Sequence, residues 1–117
     1  MKKRKISKKH RVYCTYFPDG RYYIGYSGKT DKLYEKYYGS STHIKEYDGD
    51  DLKKETIAEY DKKNYAKMQE FLLQWQCRED ERCINDMINI RLRLTHLSDF
   101  EITPWTPKAE SDLHKIL

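Results

Sequence analysis

The chain has 117 residues, of which 38% are hydrophobic and 36% charged, and its net charge is +4. That length suits one domain with one modest core, and no run of 18 apolar residues exists to form a membrane span. The start of the chain lacks the apolar stretch of a secretory signal, and the three cysteines, Cys14, Cys77 and Cys83, have no CxxC spacing. A reduced, intracellular (cytoplasmic) protein is the expectation, and scattered histidines and cysteines argue against a zinc site.

In chain order, residues 1–10 read as a flexible basic arm. Residues 2–11 hold Lys2, Lys3, Arg4, Lys5, Lys8, Lys9 and Arg11, with no acidic residue among them. Such a block repels itself and attracts phosphate, and it serves equally as a solubilising tail. Residues 11–17 are rich in β-branched and aromatic types and read as a strand. Pro18-Asp19-Gly20 signals a turn, since proline presets one backbone angle and glycine permits another. Residues 21–26 read as the return strand of a β-hairpin. Thr30 or Asp31 is placed to cap a short helix over about residues 31–38, with Gly39 as its stop. Ser40, Ser41 or Thr42 is placed to cap a second one, running to about Tyr47. Asp48-Gly49-Asp50-Asp51 breaks the chain, and residues 53–60 read as a third strand.

The main helix is expected from an N-cap at Asn64 to about Arg78. Met68, Phe71, Leu72 and Trp75 fall at i, i+3, i+4 and i+7 and form one apolar stripe. Beyond Cys83, the alternation of Ile88, Ile90, Leu92 and Leu94 suits a strand and equally a short helix. Thr103-Pro104-Trp105-Thr106-Pro107 does not fit inside a regular element, and residues 108–117 suit a closing helix. The expected architecture is α+β (α/β): a small three-stranded antiparallel sheet flanked by helices. The expected organisation is an arm (1–10), a domain (11–103) and a C-terminal tail or linker (104–117).

The hairpin has a specific form. Tyr13 lies on its first strand and Tyr23-Ile24-Gly25 on its second. Alone, paired tyrosines are ordinary cross-strand packing. The order of the later segments is more specific: Tyr37-Tyr38-Gly39-Ser40-Ser41, a strand, a helix carrying Glu70, then Cys83-Ile84-Asn85. Over residues 11–86 this succession resembles the GIY-YIG nuclease family, most of all its phage homing-type endonucleases. The chain departs at Arg11-Val12-Tyr13, where Gly-Ile-Tyr is usual, and residues 26–47 hold no arginine where the family keeps one on the first helix.

The resemblance implies a GIY-YIG-like fold and a metal-dependent hydrolysis of DNA phosphodiester bonds. It makes Glu70 the ligand of Mg2+ (or Mn2+), Tyr13 the general base with Tyr23 as partner, and Asn85 a supporting hydrogen-bonding residue, with Asn89 as backup. The chemistry suits these types. Magnesium prefers oxygen ligands and keeps most of its waters, so one carboxylate anchors it. A free phenol titrates near ~10 and needs a nearby cation or the metal's field to act as a base at neutral pH. In place of the arginine, Lys36 is the first candidate cation, with His43 a further catalytic candidate, although each alone is more often a solvated surface residue. Tyr38 stands where the family often has a histidine or tyrosine. The expected DNA contacts are Lys8, Lys9, Arg11, Arg21, Lys29 and Lys45.

Two points of the helix reading stay open. Glu70 lies almost opposite the Met68 stripe on a helical wheel, which fits a solvent-facing residue. Its neighbours at i−4 and i+3, however, are Ala66 and Leu73, which fits a residue turned to the sheet. Three functions remain distinct: an endonuclease, a catalytically impaired nucleic-acid-binding module on the same fold, and a small interaction protein whose tyrosines merely pack. One metal site cuts one strand per visit, so the expected partner is DNA, bound by a monomer or a transient dimer.

Overall fold

In a computed structural model of the chain, the described residues are 9–85, 97 and 99–108. Lys8, the alternating segment from Ile88 to Leu94, Asn89 and residues 109–117 of the expected closing helix lie outside them. The elements are β1 (His10–Tyr16), β2 (Tyr22–Ser27), α1 (Asp31–Glu35), β3 (Lys53–Tyr60) and α2 (Lys63–Gln76), with two 3-10 turns at Thr42–Glu46 and Gly49–Asp51. The sheet order is β2-β1-β3, and both pairings are antiparallel. This is the expected small α+β architecture.

The central strand explains why residues 11–17 read as one unbroken apolar and aromatic run. Val12, Cys14 and Tyr16 join Ile24, Ala66, Leu73 and Cys77 in the core. The alternate residues Arg11, Tyr13 and Thr15 are buried as well, so the strand is covered on both faces, as the period-2 geometry of a central strand allows. The hairpin turns where expected: the Gly20 N–H donates to the Phe17 carbonyl at 3.0 Å, and Gly20 has φ 90°.

Helix α1 is shorter than expected. It stops at Glu35, and the Thr30 side chain makes no capping hydrogen bond. The second short helix is a 3-10 turn, capped by Ser41, whose side chain accepts from the His43 N–H. Helix α2 begins one residue before Asn64, with Lys62 at the N-cap position.

The buried face of α2 differs from the Met68–Phe71–Leu72–Trp75 stripe. It is Ala66, Gln69, Leu73 and Gln74 that are buried, whereas Trp75 is 51% exposed. The reason is polar satisfaction. Gln69 exchanges two hydrogen bonds with the backbone of Thr103, at 2.7 and 2.9 Å, and the Gln74 side chain donates to the Ile24 carbonyl at 3.1 Å. A buried amide with its partners made costs little, so both glutamines sit inside.

Residues 100–108 run without regular structure across the domain. Trp105 packs edge-on against Tyr22 with ring centroids 6.4 Å apart. The Lys108 ammonium pairs with Glu55 at 3.0 Å, and the Lys108 N–H donates to the Tyr16 hydroxyl at 3.1 Å. The segment 104–108 therefore packs with the domain, so the expected boundary at 103/104 does not mark where packing ends. At the other end, His10 already belongs to β1 rather than to the arm. Among the described residues, no helix is long and apolar enough to cross a membrane.

Candidate active site

Tyr13 on the central strand lies directly across from Gly25 on the edge strand β2. Its ring covers the glycine. A methyl group on Gly25 would come within 2.5 Å of the Tyr13 hydroxyl and 2.9 Å of the Tyr23 ring. The glycine of Tyr23-Ile24-Gly25 is therefore required by the close approach of the phenol. Tyr23 is diagonal to Tyr13, with ring centroids 6.5 Å apart. Tyr34 and Tyr37 meet Tyr13 edge-on, each at 6.0 Å. Tyr13, Tyr23, Tyr34 and Tyr37 thus form one cluster on the face of the sheet opposite the α2 core.

Glu70 lies on α2, and its charge is felt at the Tyr13 phenol. Its side chain is 13% exposed and pairs with the Lys67 ammonium at 2.8 Å. Its negative charge raises the pKa of both the Tyr13 and the Tyr26 phenols, after burial and, for Tyr13, its neighbouring phenols. Glu70 is accordingly neither on the exposed face nor in the buried row of α2, but on the flank beside Ala66 and Leu73.

Asn85 holds the strand between Tyr23 and Gly25. Its Oδ1 accepts from the Ile24 N–H at 2.8 Å, and its Nδ2 donates to the Ile24 carbonyl at 2.9 Å. Just before it, the Ile84 N–H donates to the Tyr22 carbonyl at 2.9 Å and the Tyr22 N–H to the Arg82 carbonyl at 2.8 Å. Cys83-Ile84-Asn85 thus adds a short parallel pairing to the free edge of β2.

The cations are arranged differently from expectation. Lys36 is exposed at the C-cap of α1. The ammonium that lies over the tyrosines is that of Lys54 on β3, at 3.6 Å from the Tyr34 ring, 5.4 Å from Tyr38 and 6.0 Å from Tyr13. It donates to the Tyr34 carbonyl and, at 2.8 Å, to the Tyr37 carbonyl, so it also closes the C-terminal end of α1. Desolvation and the nearby Arg11 lower its pKa to about 8. Nothing in the linear sequence marks Lys54 apart from Lys53, because only the strand's alternation turns one of them inward.

Among the expected DNA contacts, Arg11 is the clear exception. It is 6% exposed, pairs with Asp31 and with Glu59, and stacks on the Tyr34 ring at 4.5 Å. That guanidinium is used inside the protein and is not a free surface cation. Arg21 pairs with Asp19 at 2.7 Å, and Lys9 approaches Glu59 at 3.8 Å. Lys29 is exposed, with its ammonium 4.6 Å from the Tyr37 ring, while His43 and Lys45 are exposed on the 3-10 turn.

Burial runs against Tyr13 as a general base. The residue is 1% exposed. Desolvation, then the neighbouring phenols of Tyr37 and Tyr23, and Glu70 hold its proton on well above the ordinary tyrosine range. At neutral pH it is a hydrogen-bond donor. As for a metal, no group of three or more His, Cys, Asp or Glu side chains able to hold one comes together among the described residues. A single carboxylate still fits a hard cation that keeps its waters, and the Lys67 contact engages only Oε1 of Glu70. The chain matches no protein-family model, no curated protein and no solved structure.

Proposed function

We propose that the chain is a divalent-metal-dependent DNA endonuclease of homing type, hydrolysing phosphodiester bonds on a GIY-YIG-like fold. The observation that supports this reading is the packing of Tyr13 and Tyr23 around Gly25, with Asn85 bracing Ile24 beside them. The family resemblance marks these positions, and it assigns Glu70, on α2, to the same site. Glu70 would hold Mg2+ (or Mn2+), which when bound supplies a water of lowered pKa and neutralises the scissile phosphate.

The chain's own groups divide the remaining work. Tyr13 and Tyr23 donate hydrogen bonds and orient the phosphate, since Tyr13 keeps its proton at neutral pH. Lys54 sets a fixed positive charge beside the rings. Asn85 keeps β2 in register. DNA is the partner, met by a monomer or a transient dimer, with Lys29 and Lys45 as exposed cations. An intracellular site of action goes with that substrate and with three free thiols.

Two observations favour the second reading, a nucleic-acid-binding module that has lost catalysis. Tyr13 is buried, and Glu70 already pairs with Lys67. A gel-shift paired with a plasmid-nicking assay separates the two. Nicking that needs magnesium supports the nuclease. Salt-sensitive binding without nicking in any divalent metal supports the module, and neither binding nor nicking overturns both.

A further inference from the structure

Lys67 lies one turn before Glu70 on α2 and holds its carboxylate, with the ammonium 2.8 Å from Oε1. The same ammonium stands 5.2 Å from the centre of the Tyr26 ring. We propose that Lys67 is a built-in counter-cation of Glu70, which keeps the carboxylate paired in the metal-free chain and leaves it when a divalent cation binds. The inference rests on the nuclease reading, in which Glu70 is the metal ligand, and it adds a positioning residue that sets how readily the site loads.

Three observations carry it. First, the pair differs from an ordinary exposed one. The Glu70 side chain is 13% exposed and that of Lys67 27%, and a carboxylate so enclosed needs an opposite charge close by. Second, the lysine is set in place in advance. Tyr26 offers the face of its ring as a second contact for the ammonium, and that ring is itself fixed. Its hydroxyl and His10 Nδ1 are hydrogen-bonded at 2.7 Å, and the two rings lie 9° from parallel. A methyl group on Gly28 would stand 2.8 Å from the same hydroxyl, so the glycine leaves room for it. Third, the pairing is one-sided. The Lys67 contact engages only Oε1 of Glu70, and the second oxygen suits a cation that keeps its waters. A fixed ammonium beside such a cation repels it. Lysine is suited to giving way, because a single ammonium on a flexible four-carbon stem swings into water more readily than the two-pronged fork of arginine leaves a carboxylate.

The test is a titration of the full chain, without DNA, with Mn2+ as the probe, read by paramagnetic broadening of the amide NMR signals of α2 around residue 70. Lys67→Met keeps the stem and removes the charge. It is expected to bind Mn2+ roughly two- to five-fold more tightly than the wild-type chain, the combined effect of a lost helix pair and of relieved like-charge repulsion. Lys67→Arg keeps the charge and shows no such gain. Glu70→Gln loses the broadening, with or without Lys67→Met. Lys67 lies outside the core cluster, so these comparisons are made in a folded chain. A Lys67→Met affinity equal to or weaker than that of the wild-type chain, with binding still lost in Glu70→Gln, overturns the proposal and leaves Glu70 as the ligand. Mn2+ binding that survives in Glu70→Gln, or that is absent from the wild-type and Lys67→Met chains alike, overturns both. Tighter binding by Lys67→Met without metal-dependent nicking leaves the counter-cation standing and the nuclease reading refuted.

Discussion

The Asn85 side-chain amide pairs with both backbone groups of Ile24, accepting at 2.8 Å and donating at 2.9 Å. It therefore acts as the next strand would at that position of β2. Ile24 is 0% exposed, so its backbone groups have little water to turn to if the amide is lost. Asn85→Ala is expected to lower unfolding free energy by about 1–3 kcal/mol, the cost of leaving the buried Ile24 N–H unpaired, while the Ile24 carbonyl keeps the Gln74 donor. Urea denaturation measures this, and a loss within error would mean that the edge is held by other contacts.

Gly25→Ala tests the contact between Tyr13 and the edge strand. The added methyl meets the Tyr13 hydroxyl at 2.5 Å, and that ring, 1% exposed, has no room to withdraw. The expected loss is about 1–3 kcal/mol, as for other overpacked interiors, together with loss of any nicking. Near-UV circular dichroism should report the displaced tyrosines. An unchanged melting curve would show that the phenol moves freely.

The tyrosines make an alkaline prediction. Burial holds the protons of Tyr13, Tyr16 and Tyr22 on well above the ordinary range. Their folded-state pKa values exceed the unfolded value of 10.0, so the stability they contribute is fully present below pH 10 and is lost as pH rises beyond it. A spectrophotometric titration should therefore show exposed phenols ionising first and these three only as the chain unfolds. Reversible ionisation of every tyrosine in the folded state near pH 10 would contradict it.

Lys54 gives the opposite sign. Its pKa falls from 10.5 to about 8 on folding. Between those values the unfolded chain binds more protons, so this residue makes stability rise with pH across that window. Compared with Lys54→Met, the wild-type chain should gain stability from pH 8 towards pH 10, as read by denaturant midpoints. Parallel curves for the two would remove the assignment of Lys54 as a desolvated cation.

Much of this was legible in the residues, and the exceptions share a cause. Strand β3 could be read because Ile57 sits in a short run bounded by Asp48-Gly49-Asp50-Asp51 and Asp61. The hairpin followed from Pro18-Asp19-Gly20. The face of α2 did not, because hydrophobicity alone ranks Trp75 above Gln69, whereas the fold buries Gln69 against the backbone of Thr103, 34 residues later. Lys54 was missed for the same reason, since its partners are carbonyls of α1 rather than neighbours in sequence. Arg11 read as a DNA contact because it ends a basic block. Its carboxylate partners, Asp31 and Glu59, come together only once β1 is central.

The central claim rests on Glu70. Its pair with Lys67 is a short-range helix contact, worth a few tenths of a kcal/mol at most, so Glu70→Ala should leave the fold intact. The most direct measurement is nicking of supercoiled plasmid by the wild-type chain and by Glu70→Ala, with magnesium or manganese and with chelator. Metal-dependent nicking by the wild-type chain, absent in Glu70→Ala at an unchanged melting temperature, is the predicted result. Full nicking by Glu70→Ala, or none by the wild-type chain in either metal, would contradict it.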